Sequence, residues 1–237
     1  MRVAAIADIH GNLPALQAVL ADVEPEAVDA IVVVGDSVTG PFAAETFDLL
    51  RSVGARVVRG NADRLEAVER FDQHKARWSE QRLGADRLAE AAAWPLALEL
   101  ELDGLGRALF CHSTPYSDEP IYTRTTPDDQ LAEILGPVAA DVLVCGHTHV
   151  QYDRWLSSGL RVVNPGSVGM PYEGRQGAFW AILGPDVEMR RTEYDVDAAV
   201  AAIRGLGAPV DEQQLGYLVE PPDPDEVTAY FESVRGA

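Results

Sequence analysis

Cysteine is scarce in this chain, with two residues in 237, so a disulfide framework cannot organise the fold. Both thiols are expected to be reduced, which fits a cytoplasmic protein. Basic residues are few as well: 19 Lys and Arg stand against 38 Asp and Glu, a net charge of −19. Such a surface repels a nucleic-acid duplex or an anionic membrane, and both are excluded as expected partners. No apolar run approaches the roughly 20 residues of a membrane-spanning helix, and Met1-Arg2-Val3 leads straight into a strand pattern without a signal-peptide pattern. Internal repeats and low-complexity tracts are also missing. What remains is a 47% hydrophobic chain long enough for one sizeable core.

Histidine is also rare, yet four of the five lie in short motifs rich in Asp and Asn. Val3–Ala7 is an unbroken apolar run, the pattern of a strand buried on both faces, and Asp8 and His10 follow at its carboxyl end. Ile31–Val34 leads to Gly35-Asp36, and Arg56–Val58 to Gly60-Asn61. Ala108–Cys111 leads to His112, and Asp141–Cys145 to Gly146-His147-Thr148-His149. Glycines at 11, 35, 60 and 146 suit the sharp turns at these strand ends. In α/β folds ligands collect beyond the carboxyl ends of strands, so the five endings can converge. Asp8, His10, Asp36, Asn61, His112, His147 and His149 are too many ligands for one ion, but they suit two ions sharing a carboxylate. Imidazole, carboxylate and amide oxygen favour divalent Mn, Fe, Ni, Co or Zn. Cys111 and Cys145 each precede a ligand by one or two positions and are expected to point into the core instead.

At these residues the chain resembles the calcineurin-like metallophosphoesterases, in particular their small prokaryotic phosphodiesterase branch. The family order, D-x-H, G-D, G-N, a lone H and G-H-x-H, stands here as Asp8-Ile9-His10, Gly35-Asp36, Gly60-Asn61, His112 and Gly146-His147-Thr148-His149. The resemblance covers about residues 1 to 185. It implies one metal held by Asp8, His10, Asp36 and His149, and a second held by Asn61, His112 and His147, with Asp36 bridging. It also implies an α/β fold, a four-layer α-β-β-α sandwich of two packed mixed sheets flanked by helices. One position departs from the pattern. Where much of the family has His after the motif Asn, this chain has Ala62, so leaving-group protonation must come from elsewhere. Asp63 is the nearest candidate acid and Arg64 a candidate phosphate contact. Asp63 is also placed to cap a helix starting at Arg64, and that is the preferred reading.

Paired ions about 3.5–4 Å apart clamp a phosphoryl group and lower the pKa of a bridging water, so a hydroxide rather than a side chain is the expected nucleophile. The predicted activity is dinuclear-metal-dependent hydrolysis of a phosphodiester or phosphomonoester in a small soluble substrate, nucleotides included. A phosphoprotein phosphatase and a non-catalytic scaffold are the alternatives. The missing His after Asn61 and the short chain weigh against the first, and the full ligand set weighs against the second. Metal-bound imidazoles need partners for their other N–H, and Asn12 and Asn164 are candidates. Oligomeric state stays open, a homo-oligomer included.

The rest of the chain is read as one domain, 1–237, with a helical insertion at about 63–95 and a C-terminal helical extension at about 195–237. Pro14 opens a helix with Leu16, Val19, Leu20 and Val23 on one face, and another helix is expected over Ala43 to Val53. The insertion is expected to pack passively on the sheet rather than cap the site. The loop from Ser113 to Thr126, with Tyr116, Tyr122 and Arg124, is either a substrate wall or an ordinary crossover. Strand patterns at 161–164, 178–183 and 187–194 suggest a second sheet. Asn164-Pro165-Gly166-Ser167 is expected to be structural. The tail, with a helix at Val196 to Leu206 and a last short helix after the Pro-rich 220–225, is expected to pack outside the catalytic layers.

Overall fold

The computed structural model describes residues 1–64 and 73–235. Among them, ten strands build two five-stranded mixed sheets. The first sheet contains β1 (Val3–Ile6), β2 (Ala30–Val34), β3 (Arg56–Val58), β9 (Ala178–Leu183) and β10 (Val187–Thr192), in the order β10-β9-β1-β2-β3. The second contains β4 (Ala97–Leu102), β5 (Gly106–Cys111), β6 (Val142–Val144), β7 (Tyr152–Trp155) and β8 (Arg161–Asn164), in the order β4-β5-β6-β8-β7. β1, β2 and β3 run parallel, as do β5, β6 and β8.

Side-chain alternation along the strands creates the layers. Val3, Ala5 and Ala7 meet Ala108, Phe110, Val142 and Val144 between the sheets. Ala4 and Ile6 point outward onto α1 (Leu13–Val23), which contributes Ala15, Leu16, Val19 and Val23. Asn12 caps this helix by accepting from the Ala15 N–H, and Pro14 sits in its first turn. Beneath the second sheet, Cys111, Leu143 and Cys145 pack on Leu131 and Leu135 of α4 (Asp128–Leu135). Both cysteines are free and buried. The result is the expected α/β arrangement of two packed sheets between helices.

The sheet assignment of the later strands differs from expectation. Only 161–164 enters the second sheet; 178–183 and 187–192 return to the first, where β9 runs antiparallel to β1 with Ala5 opposite Ala181. β10 ends at Thr192, short of 194. β2 already covers one edge of β1, and pairing with β9 satisfies the other.

α2 (Ala43–Ser52) falls where expected. Arg64, the expected helix start, is described and is not helical, and residues 65–72 of the insertion lie outside the described residues. α3 (Gln73–Ala92) follows, with a break at Gly84, and packs Leu83 and Ala91 on Phe47 of α2. The extension forms α5 (Val196–Gly205), α6 (Glu212–Val219) and α7 (Pro224–Val234). Val196, Val200 and Ile203 of α5 pack on Leu215 and Leu218 of α6. Among the described residues, no helix is long and apolar enough to cross a membrane.

Candidate metal centre

The loops after β1, β2, β3, β5 and β6 meet at one end of the sandwich. Backbone bonds tie the first two together: Asp8 N–H donates to Gly35 O, His10 N–H to Asp36 O and Gly11 N–H to Ser37 O, at 2.9–3.1 Å. Asp8, His10, Asp36, His147 and His149 all have φ between +47° and +74°. This left-handed region is uncommon for residues with a side chain, and its concentration here marks a site held by its surroundings. Gly35 and Gly60 permit the close approach. A Cβ on Gly35 would stand 2.3 Å from His112 Nδ1, and one on Gly60 would stand 2.1 Å from Asp36 Oδ1.

Six of the seven expected ligands form two compact groups, Asp8 with His10 and His149, and Asp36 with His112 and His147. Asn61 joins the second through its Oδ1, 3.0 Å from His112 Nε2. His10 Nε2 and His149 Nε2 lie 3.3 Å apart, and His112 Nε2 and His147 Nδ1 lie 3.1 Å apart. Asp36 links the groups: Oδ1 accepts from the Ala62 N–H, while Oδ2 stands 3.7 Å from His10 Nε2 and 3.4 Å from His112 Nε2.

His112 Nδ1 donates to Val34 O at 2.9 Å and His149 Nδ1 donates to Met170 O at 2.7 Å. Carbonyls only accept, so Nδ1 carries a proton in both rings and both Nε2 atoms face the cluster. The orienting partners are therefore backbone carbonyls, not Asn12 or Asn164. Asn12 donates to Gly169 O, and Asn164 donates to Gly146 O and so braces the Gly146–His149 loop. Ser167 donates to Asp8 O, which gives Asn164–Ser167 the expected structural role.

The electrostatics suit a cation. Burial alone would raise the Asp36 carboxyl, but His112, His10 and His147 outweigh it and hold Asp36 well below the carboxylate range. Burial likewise opposes a charge on His112, yet Asp36 pushes its pKa up to about 10. Burial brings His10 and His147 down to about 4, so both are neutral donors near pH 7. His147 Nε2 is buried without a hydrogen-bond partner among the described residues. Two buried carboxylates ringed by inward-facing imidazole nitrogens, with an orphaned ring nitrogen beside them, fit divalent metal chemically.

Asp63 and Arg64 are placed differently from the cluster. Asp63 is buried, and Oδ1 accepts from the Ser37 and Val38 N–H groups at 2.8 and 3.1 Å while Oδ2 accepts from Gly60 N–H at 3.0 Å. It anchors the turns that carry Asp36 and Asn61. Burial and the charge of Asp36 push its pKa up to about 7. Arg64 pairs with Asp118 at 3.0 Å and also with Glu119.

A pocket of about 320 Å³ opens on His10, Asp36 and Asn61. Arg64 and Glu119 line it, as do Lys75 and Trp78 of α3 and Ile203, Leu215 and Leu218 of the extension. α3 thus both packs on α2 and walls the site, and the tail, expected to pack outside the catalytic layers, also lines the pocket. The 113–126 loop contributes Glu119 to the pocket, whereas Tyr122 is buried beneath the second sheet, where its OH donates to Ser113 O. Arg124 pairs with Asp225, at the start of α7.

The sequence model of the calcineurin-like phosphoesterase superfamily domain matches residues 1–184, a span that holds every residue of the two ligand groups. The chain belongs to the calcineurin-like phosphoesterase superfamily. An uncharacterized protein of Methanocaldococcus jannaschii is 28% identical over 226 residues, 85% of this chain and 91% of that protein. The crystal structure of a metallophosphoesterase from Sphaerobacter thermophilus superposes with a TM-score of 0.74 and 27% identity, covering 93% of this chain and 99% of that one. A hypothetical protein of Pyrococcus horikoshii OT3 shares the fold at a TM-score of 0.78 and 22% identity, over 94% and 99% of the two chains. The protein is a phosphoesterase, a metal-dependent hydrolase of this superfamily.

Proposed function

We propose that this phosphoesterase uses two divalent ions, among Mn, Fe, Ni, Co and Zn, to hydrolyse a phosphodiester or phosphomonoester in a small soluble substrate, nucleotides included. The observation that carries the reading is the position of Asp36. With Oδ1 tied to the Ala62 N–H, Oδ2 faces His10 at 3.7 Å and His112 at 3.4 Å, so one oxygen serves both ligand groups. When bound, paired ions supply Lewis-acid stabilisation of the phosphoryl charge and an acidified water for in-line attack.

The chain itself orients and encloses. Met170 O and Val34 O fix the His149 and His112 rings, and the His147 N–H holds both oxygens of Asp8 at 3.2 and 3.1 Å. α3 and the extension wall the approach, which favours a small ester over a folded phosphoprotein. Ala62 offers no proton beside Asn61, and the oxygens of Asp63 are engaged by backbone donors, so esters with good leaving groups are favoured. The free, buried thiols of Cys111 and Cys145 support the cytoplasm as its compartment.

The test is hydrolysis of bis-p-nitrophenyl phosphate and p-nitrophenyl phosphate by metal-stripped protein reloaded with Mn, Ni or Zn, with bound metal counted per chain. Turnover that requires metal, two ions per chain, and loss of activity in Asp36→Asn and His112→Ala are the expected results. Full activity with a single ion, or activity retained in Asp36→Asn, would refute a shared carboxylate.

A further inference from the structure

The pocket is chemically divided. At one end stand His10, Asp36 and Asn61; the remaining wall includes Trp78, Met170, Ile203, Val210, Leu215 and Leu218. Trp78 Nε1 donates to Pro41 O at 2.9 Å, and the Arg82 guanidinium lies over the indole, 5.4 Å from the ring centroid. Its polar edge is therefore satisfied and its ring held in place, so what it offers the pocket is a flat carbon surface. Elsewhere on the same pocket, Ile203, Leu215 and Leu218 are backed by Val196 and Val200 and cannot readily turn away.

Several polar groups along this wall already bond within the protein. Lys75 Nζ donates to Gln214 Oε1, Arg64 pairs with Asp118 and Glu119, and Asp211 Oδ1 caps α6 by accepting from the Gln213 N–H. The matching part of a ligand is therefore apolar. At about 320 Å³ the cavity sits at the small end of ligand sites, roughly 300–1,000 Å³, so it takes one compact group and no polymer.

We propose that the substrate is a phosphoester carrying a flat aromatic ring, seated between Trp78 and the apolar wall of α5 and α6 with its phosphoryl group at the ligand residues. The proposal rests on the function proposed above for the position of the phosphoryl group. Trp78 lies within the 1–184 match, whereas Ile203, Val210, Leu215 and Leu218 lie beyond it, so the extension supplies one part of the recognition surface.

Phosphonates, which cannot be hydrolysed, separate recognition from turnover. Calorimetric binding of phenylphosphonate and methylphosphonate to the Mn-loaded full chain is expected to favour the phenyl compound by about tenfold, the scale of an aromatic contact with its buried area. Trp78→Ala is expected to remove most of that preference and Trp78→Phe to restore it in part. Val210→Glu, in the same pocket but on the extension, is expected to reduce it as well and serves if Trp78→Ala does not fold. A thymidine phosphonate that binds more tightly than phenylphosphonate would assign the ring to a nucleobase, and the reverse to a simple aryl ester; either supports the proposal. Equal binding of phenyl and methyl compounds, or a preference untouched in Trp78→Ala, would overturn it. Metal-dependent turnover of bis-p-nitrophenyl phosphate without ring preference defeats this inference alone, whereas ring preference without turnover defeats the proposed reaction alone.

Discussion

Replacing Asp63 separates two roles for a carboxylate beside the candidate metal ligands. It accepts from Ser37, Val38 and Gly60, three backbone N–H groups in buried turns. Asp63→Ala leaves all three without a partner, at about 1–3 kcal/mol each, so roughly 3 kcal/mol or more even if water enters the gap. That is a large share of a domain stability of about 5–15 kcal/mol. Asp63→Asn is milder. Its amide oxygen can keep Ser37 and Val38 while the NH2 opposes only the Gly60 N–H, about 1–3 kcal/mol. Removing a buried charge beside Asp36, the repulsion that with burial pushes Asp63 up to about 7, offsets part of this. The expected order of stability is wild type, then Asn, then Ala. In urea, a slope of about 3 kcal/mol/M places the Ala midpoint about 1 M below wild type. Both variants are also expected to bind metal more weakly, because the turns they loosen carry Asp36 and Asn61. Midpoints for both variants within about 0.2 M of wild type, or Asn falling below Ala, would refute the anchoring role. Stability retained in Asp63→Asn with turnover lost would instead make Asp63 the leaving-group acid.

Gly35 has φ +85°, and a Cβ there would lie 2.3 Å from His112 Nδ1. Gly35→Ala is therefore expected to cost roughly 2 kcal/mol or more by thermal unfolding and to lower metal stoichiometry. Gly54→Ala, at φ +65° but with open space around it, is the control that loses stability without losing metal. Ala62 lines the pocket beside Asn61. Ala62→His is expected to raise turnover of phenyl phosphate by about 100-fold through leaving-group protonation while leaving p-nitrophenyl phosphate nearly unchanged. Unchanged phenyl phosphate turnover would show that the pocket does not direct that side chain to the leaving oxygen.

Much of the candidate metal centre was legible as letters. Coordination demands particular donor atoms at strand ends, so Asp8, His10, Asp36, Asn61, His112, His147 and His149 each stand after an apolar run and stay recognisable without knowledge of their neighbours. Asn12 before Leu13-Pro14 likewise encodes the start of α1 locally. Local signals also exist for elements not anticipated: Leu98, Leu100 and Leu102 alternate with Glu99 and Glu101 in β4, and Asp211 caps α6. The sheet that receives β9 has no such local signal. Its pairing with β1 joins residues almost 180 positions apart and depends on which edge is left unfilled.

Tertiary structure also decided what Asp63 does. A carboxylate one turn from a ligand can serve as acid, cap or anchor, and only the arrival of the Ser37, Val38 and Gly60 N–H groups at its oxygens distinguishes them. The pocket wall was hidden for a different reason. Trp78, Ile203, Leu215 and Leu218 are ordinary apolar residues, chemically the same whether they fill a core or face a ligand. The sequence by itself determined the donor atoms and the strands that present them, because both rest on short-range chemistry. Which oxygen of Asp36 faces both ligand groups, and which helices enclose them, followed only from packing between segments distant along the chain.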